Sequence, residues 1–130
     1  MVHAKRSSNG HRRALELLRQ SQCLYPITEE LPIQAVNPGY KIRAWYDIAL
    51  PSLKVVIEIH GEHHYHAVDF AGNDAEGAKK RFNEQQRRDN RKYMAALDAG
   101  WGYVAISTKE LKCMSSNQMW NRVHNAILAT

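Results

Sequence analysis

The chain has 130 residues, 44% hydrophobic and 24% charged, which fits one ordinary globular domain with a single core. No apolar run approaches the roughly 18 residues of a membrane span and no apolar signal core opens the chain, so the expectation is no membrane partner and a cytoplasmic location. The formal charge of +5 favours a polyanionic partner, most simply nucleic acid, and the two cysteines, Cys23 and Cys113, form no close-spaced metal pair.

In chain order, residues 1–10 carry Lys5 and Arg6 among small polar residues and read as a flexible basic arm; residues 11–130 read as one domain. A helix is expected from about Ser8 to Gln22, burying Ala14, Leu15, Leu17 and Leu18, with Glu16 on it as a solvated charge by default. A short strand is expected between Ile27 and Val36, interrupted by Pro32, and Asn37-Pro38-Gly39 marks a turn. Two strands follow, near Lys41–Leu50 and Leu53–His60, joined by a turn over Pro51-Ser52-Leu53-Lys54. Small polar residues from Ala67 to Gly77 read as a loop, and a long helix from about Glu76 to Ala99 stops at Gly100. Steps of about 100° place Phe82, Gln86, Asp89, Tyr93, Ala96 and Leu97 on its core face, with Lys80, Arg87, Arg88 and Arg91 pointing away. A strand at Trp101–Ser107, a capping box at Ser107 and Glu110, and a last helix from Ser116 to Leu128 complete the chain. This order predicts an α/β fold: a small mixed sheet flanked by helices.

The hairpin holds the chemistry. If it is symmetric about Ser52 and Leu53, Asp47 lies directly across from Glu58. Opposed side chains sit about 4.5–5.5 Å apart at Cβ, and like charges so placed are destabilising. Val55-Val56-Ile57 makes the second strand apolar on both faces, so the two acids need a cation or a shared proton. His60, two residues after Glu58, shares its face.

Four of the seven histidines fall in His60-Gly61-Glu62-His63-His64-Tyr65-His66. One reading is a zinc site, for which the familiar cysteine spacing is missing; another is a surface cluster without function. A Mg²⁺ site explains the acids as well, because Mg²⁺ prefers oxygen ligands beside a phosphate. Asp47, Glu58 and the main-chain carbonyl of Ile59 are its candidate ligands, with His60 or His64 moving a proton.

Taken together, Trp45-Tyr46-Asp47-Ile48-Ala49, Val56-Ile57-Glu58-Ile59-His60-Gly61, Arg87-Arg88-Asp89-Asn90-Arg91 and Ala99-Gly100-Trp101-Gly102-Tyr103-Val104 resemble the PD-(D/E)XK nuclease superfamily. Within it they are nearest to the very short patch repair endonucleases and related phage homing endonucleases. The resemblance covers most of residues 11–107. It implies a restriction-endonuclease-like helix–three strands–helix–strand core, and Mg²⁺-dependent cleavage of DNA to 5′-phosphate and 3′-hydroxyl ends, with Mn²⁺ as a substitute. By position, Asp47 and Glu58 would bind metal, and His60 stands where most of the superfamily has lysine. His64 falls near a second catalytic histidine, with His63 and Tyr65 as alternatives. Glu16 and Asp89 match supporting acids on the first and the long helix.

The repair enzymes' structural zinc uses cysteines absent here, so no structural zinc is expected, and no counterpart of their mismatch-reading elements is evident. Specificity would come from a partner protein or a homo-oligomer, or be slight; a phage or mobile-element origin is consistent with the resemblance. The expectation is a DNA endonuclease with Lys80, Arg87, Arg88 and Arg91 as phosphate contacts. Its competitors are a non-catalytic nucleic-acid-binding subunit and a zinc-stabilised interaction domain.

Overall fold

The computed structural model describes residues 8–21, 23–61 and 74–130. Ser8 opens helix α1 (Asn9–Gln20) by accepting the backbone N–H of His11, which satisfies one of the free donors of the first turn. Its apolar side buries Ala14, Leu15, Leu17 and Leu18 as expected, and His11 as well. Strand β1 (Thr28–Pro32) stops at its proline. Pro32 (φ −60°), the expected break, then serves as the N-cap of a four-residue helix, α2 (Ile33–Val36), which occupies the second part of the stretch expected to be strand.

Strands β2 (Trp45–Leu50) and β3 (Val55–His60) are joined by a 3₁₀ turn over Pro51–Leu53, closed by Lys54 in the left-handed region at φ 54°. The pairs Leu50↔Val55, Ala49↔Val56 and Ile48↔Ile57 give the symmetric register expected of the hairpin. Helix α3 (Ala75–Asp98) carries the chain back so that β4 (Gly102–Ser107) runs parallel to β3, while β1 lies antiparallel to β2. The result is a four-stranded mixed sheet in the order β1-β2-β3-β4, and a helix–three strands–helix–strand core once α2 is set aside. Ser107 and Glu110 form the expected capping box of α4 (Thr108–Leu111); Ser115 and Gln118 form a second one opening α5 (Ser116–Leu128).

Two apolar clusters cover the two faces of the sheet. Leu15, Leu18, Met119 and Val123 of α1 and α5 pack on Ile48, Leu50, Val55, Ile57, Val104 and Ile106. Ile33, Val36, Ala95 and Ala96 of α2 and α3 pack with Tyr46, Ala49 and Val56. Each fully buried Leu or Ile contributes about 1.5–3 kcal/mol, so both faces are needed to hold the sheet. Of the last helix, Val123 and Met119 are buried, whereas Trp120 and Ile127 only border the cluster.

The face of α3 corrects the expectation from periodicity. Ala78, Lys92, Ala95 and Ala96 are buried, with Phe82, Gln85 and Asp89 half-buried, while Gln86, Tyr93 and Leu97 are exposed. The helix has few large apolar residues, so its own pattern sets its rotation weakly. Among the described residues, no helix is long and apolar enough to cross a membrane.

The start of β4 runs close under α5: a Cβ added at Gly102 would lie 2.9 Å from the carbonyl oxygen of Ala126. We expect Gly102→Ala to lower the unfolding free energy by about 1–3 kcal/mol in urea denaturation. A neutral or stabilising result would show that α5 shifts freely, because replacing a strand glycine is otherwise favourable.

Candidate functional site

Continued by one step, the β2–β3 register brings Asp47 beside Glu58, and both side chains are buried, at 6% and 2% exposure. The regular side-chain alternation slips there. Tyr46 and Ala49 both join the α3 side of the sheet, whereas Ile48 and Leu50 join the α1 side, and Asp47 stands at the slip. The two carboxylates take up backbone donors. Glu58 Oε1 accepts from the N–H of Asp47 at 3.0 Å, and Asp47 Oδ2 accepts from the N–H of Ile59 at 2.8 Å. The residue expected to lend its carbonyl to a metal, Ile59, thus meets Asp47 through its N–H.

The cation beside Glu58 is one the sequence reading missed. Lys92 of α3, itself buried, donates to Glu58 Oε2 at 2.6 Å. Its peptide is fixed in turn: the Tyr46 hydroxyl donates to the Lys92 carbonyl at 2.7 Å, and the ammonium lies 5.8 Å from the centre of the Tyr46 ring. The Glu58 carboxyl ends raised to about 7: burial pushes it up most, Lys92 pulls it down, the Asp47 charge adds to the rise, and the Asp47 N–H lowers it. Burial, reinforced by the Glu58 charge, also raises the phenols of Tyr46 and Tyr103, which keeps both neutral, Tyr46 as a donor. Lys92 was detectable only through its spacing: it falls three residues after Asp89, on the same side of the helix.

On the other side of Asp47, His11 and Glu30 come close. One donor atom from each of His11, Glu30 and Asp47 lies within 4.8 Å of the others. His11 is 3% exposed, in the first turn of α1, and its Nε2 is 2.8 Å from Glu29 Oε1. Glu30 adopts φ 54°, between the pairs Glu29↔Ile48 and Leu31↔Tyr46, so β1 departs from regular extension at the level where β2 does. This donor set of one imidazole and two carboxylates is chemically able to hold a divalent ion.

The other expected residues are placed as follows. His60 is buried at the end of β3, paired with Ser107, on the side of the strand shared by Glu58. Asp89 is half-buried on the inward side of α3 and accepts from Gln85 at 2.8 Å. Glu16 does not reach the site: it is exposed and bonded to Arg13 and Gln20 on its own helix. Five residues separate it from His11, and at about 100° each this turns it well away from the side that enters the sheet. Lys80, Arg87, Arg88 and Arg91 are all exposed on α3; Lys80, Arg87 and Arg91 lie opposite the buried Ala78 and Ala96, whereas Arg88, expected to point away with them, falls within about 40° of the buried Lys92 and Ala95. Lys80, Arg87 and Arg91 fall within about 40° of one another, a stripe facing away from Asp47 and Glu58. His64, like His63 and Tyr65, lies outside the described residues. Cys23 is half-buried and Cys113 exposed, and neither belongs to the metal-capable group found among the described residues.

Compared with known proteins, the chain matches no family model and no curated protein.

The Glu58 carboxyl binds its proton more tightly in the folded state, near 7, than its ordinary value of 4.5. Its contribution to stability is therefore complete below about pH 4.5 and is lost as pH rises through about 7. In metal-free protein, the unfolding free energy of wild type minus that of Glu58→Gln should fall by about 3 kcal/mol between these limits and then level off. A difference that rises with pH would mean that Lys92 outweighs burial. Lys92→Met, which leaves Glu58 buried without its cation, should cost about 3–5 kcal/mol at neutral pH, with Glu58→Gln restoring part of it in the double variant.

Proposed function

We infer that the chain is a divalent-metal-dependent endonuclease acting on DNA, related to the PD-(D/E)XK superfamily and nearest to its very short patch repair members. One observation carries the reading: Asp47 and Glu58 on neighbouring strands are gathered with the Lys92 ammonium at the end of the sheet where β3 and β4 finish. Two acids and one base at that point, in a chain with the expected helix–three strands–helix–strand order and a charge of +5, suit a phosphodiester better than a neutral substrate. The ion is Mg²⁺ or Mn²⁺, with Asp47 as its central ligand.

The donor chemistry fits such an ion, since Asp47 is an oxygen donor with further carboxylates around it. A bound divalent ion would polarise the scissile phosphate and make water a better nucleophile at neutral pH. The rest falls to the chain's own residues. The Ile59 N–H holds Asp47 Oδ2, which fixes the direction of its carboxylate. Lys92 offsets the charge of Glu58 and supplies a positive charge near the phosphate. His60, on the side of Glu58, is the proton carrier within the described residues. The exposed stripe of Lys80, Arg87 and Arg91 holds a length of phosphate backbone outside the cleavage site, because it faces the other way.

The burial of Glu58 and Lys92 favours a second reading, a nucleic-acid-binding subunit in which this ion pair serves only the core. Cleavage assays separate the two. With Mg²⁺ or Mn²⁺, supercoiled DNA should be nicked or cut, and Asp47→Asn and Glu58→Gln should each lose at least about a hundredfold in rate with unchanged circular dichroism. Salt-sensitive binding without metal-dependent product would establish the second reading. Arg87→Ala and Arg91→Ala should each reduce the salt slope of DNA binding by about one while leaving cleavage at saturating protein.

A further inference from the structure

We propose that His11, Glu30 and Asp47 form the divalent-cation site of this protein, and that its imidazole selects Mn²⁺ and Zn²⁺ over Mg²⁺. The acids first expected to share an ion, Asp47 and Glu58, are not equally available for one. Glu58 is occupied on one oxygen by Lys92 at 2.6 Å and on the other by the Asp47 N–H at 3.0 Å. An ion placed there would have to compete with an ammonium at contact distance. On the β1 side, donors from three elements converge instead: His11 from the first turn of α1, Glu30 from β1 and Asp47 from β2, all within 4.8 Å of one another.

Ligands about 2.0–2.2 Å from a common ion stand roughly 3–3.5 Å apart, so adjustments of about an ångström close the set. Two of its members are already directed. His11 is held by Glu29 through Nε2 at 2.8 Å, the carboxylate–imidazole pairing that commonly orients a metal-bound histidine. Asp47 is held by the Ile59 N–H at 2.8 Å. If Nδ1 is the donor, Glu29 fixes the ring from behind; if Nε2 is, Glu29 stands beside the ion as a third oxygen. Either way the set is one nitrogen with two or three carboxylates. Mg²⁺ demands oxygen and keeps its waters, whereas Mn²⁺ accepts a mixed set and Zn²⁺ prefers one.

This inference rests on the nuclease reading only in taking the ion as the one used in cleavage. Binding is measured without DNA, so a failed cleavage assay and a failed binding assay remain separate results. The test is calorimetric titration of the full chain with MnCl₂, ZnCl₂ and MgCl₂ in turn. One Mn²⁺ or Zn²⁺ per chain is expected, each at least about tenfold tighter than Mg²⁺. His11→Asn and Glu30→Gln should each weaken Mn²⁺ binding at least about tenfold, and the exposed Glu84→Gln should not change it. Because His11 is buried and its variant can misfold, a second measurement uses unmutated protein: substoichiometric Mn²⁺ should broaden the His11 ring resonances first. Mn²⁺ affinity no greater than that for Mg²⁺, affinity unchanged in both variants, or a His11 ring left sharp at saturation would overturn the assignment.

Discussion

A carboxyl group in the middle of a sheet is costly to ionise, and at Glu58 the group that offsets the charge in part is Lys92. That contact sets the rotation of α3. The helix is long but weakly amphipathic, and its buried side is made of alanines on either side of a lysine. Bringing the ammonium to Glu58 turns Ala78 and Ala96 toward the sheet and sends Lys80, Arg87 and Arg91 out into solvent. The same rotation presents the Lys92 carbonyl to the Tyr46 hydroxyl. A buried pair of this kind adds little net stability, but leaving either member alone is costly, so it acts mainly to select one arrangement.

Asp47 connects the two sides of the sheet. Through the Glu58 carboxylate that accepts its N–H, it is tied to Lys92 on the α3 side. Through its own carboxylate, it lies within reach of His11 and Glu30 on the α1 side. In two regular strands, side chains at this level would alternate strictly up and down and the donors would be divided between the faces. The slip at Asp47 and the left-handed backbone of Glu30 prevent that division. Irregular backbone of this sort costs about 1–3 kcal/mol and persists only where surrounding contacts enforce it.

Residues close in sequence were the readable part of the site. The Asp47–Glu58 alignment followed from a short turn and a period of two, both local properties. His60 followed by the same rule. Glu16 misled because a helix carries several polar residues and only its docking shows which one enters the core. That residue is His11, one turn from the N-terminus and beside β1. Glu30 was hidden because an extended proline-bounded segment gives no sign of a left-handed residue, and glutamate has no preference for that conformation.

The amino-acid sequence by itself determined the main elements and their order, apart from the short α2: the long helices, the hairpin and its register, the Ser107–Glu110 capping box, the glycine stop of α3, and hence a small mixed sheet flanked by helices. Those features arise from backbone preferences and apolar periods a few residues long. Only the tertiary structure decided which charges meet. Lys92 finds Glu58 from 34 residues away, and His11 and Glu30 reach Asp47 from separate elements. The physical reason is that a buried charge is satisfied by whatever opposite group can be brought near it. That choice depends on how whole helices rotate and dock, which no short stretch of sequence encodes.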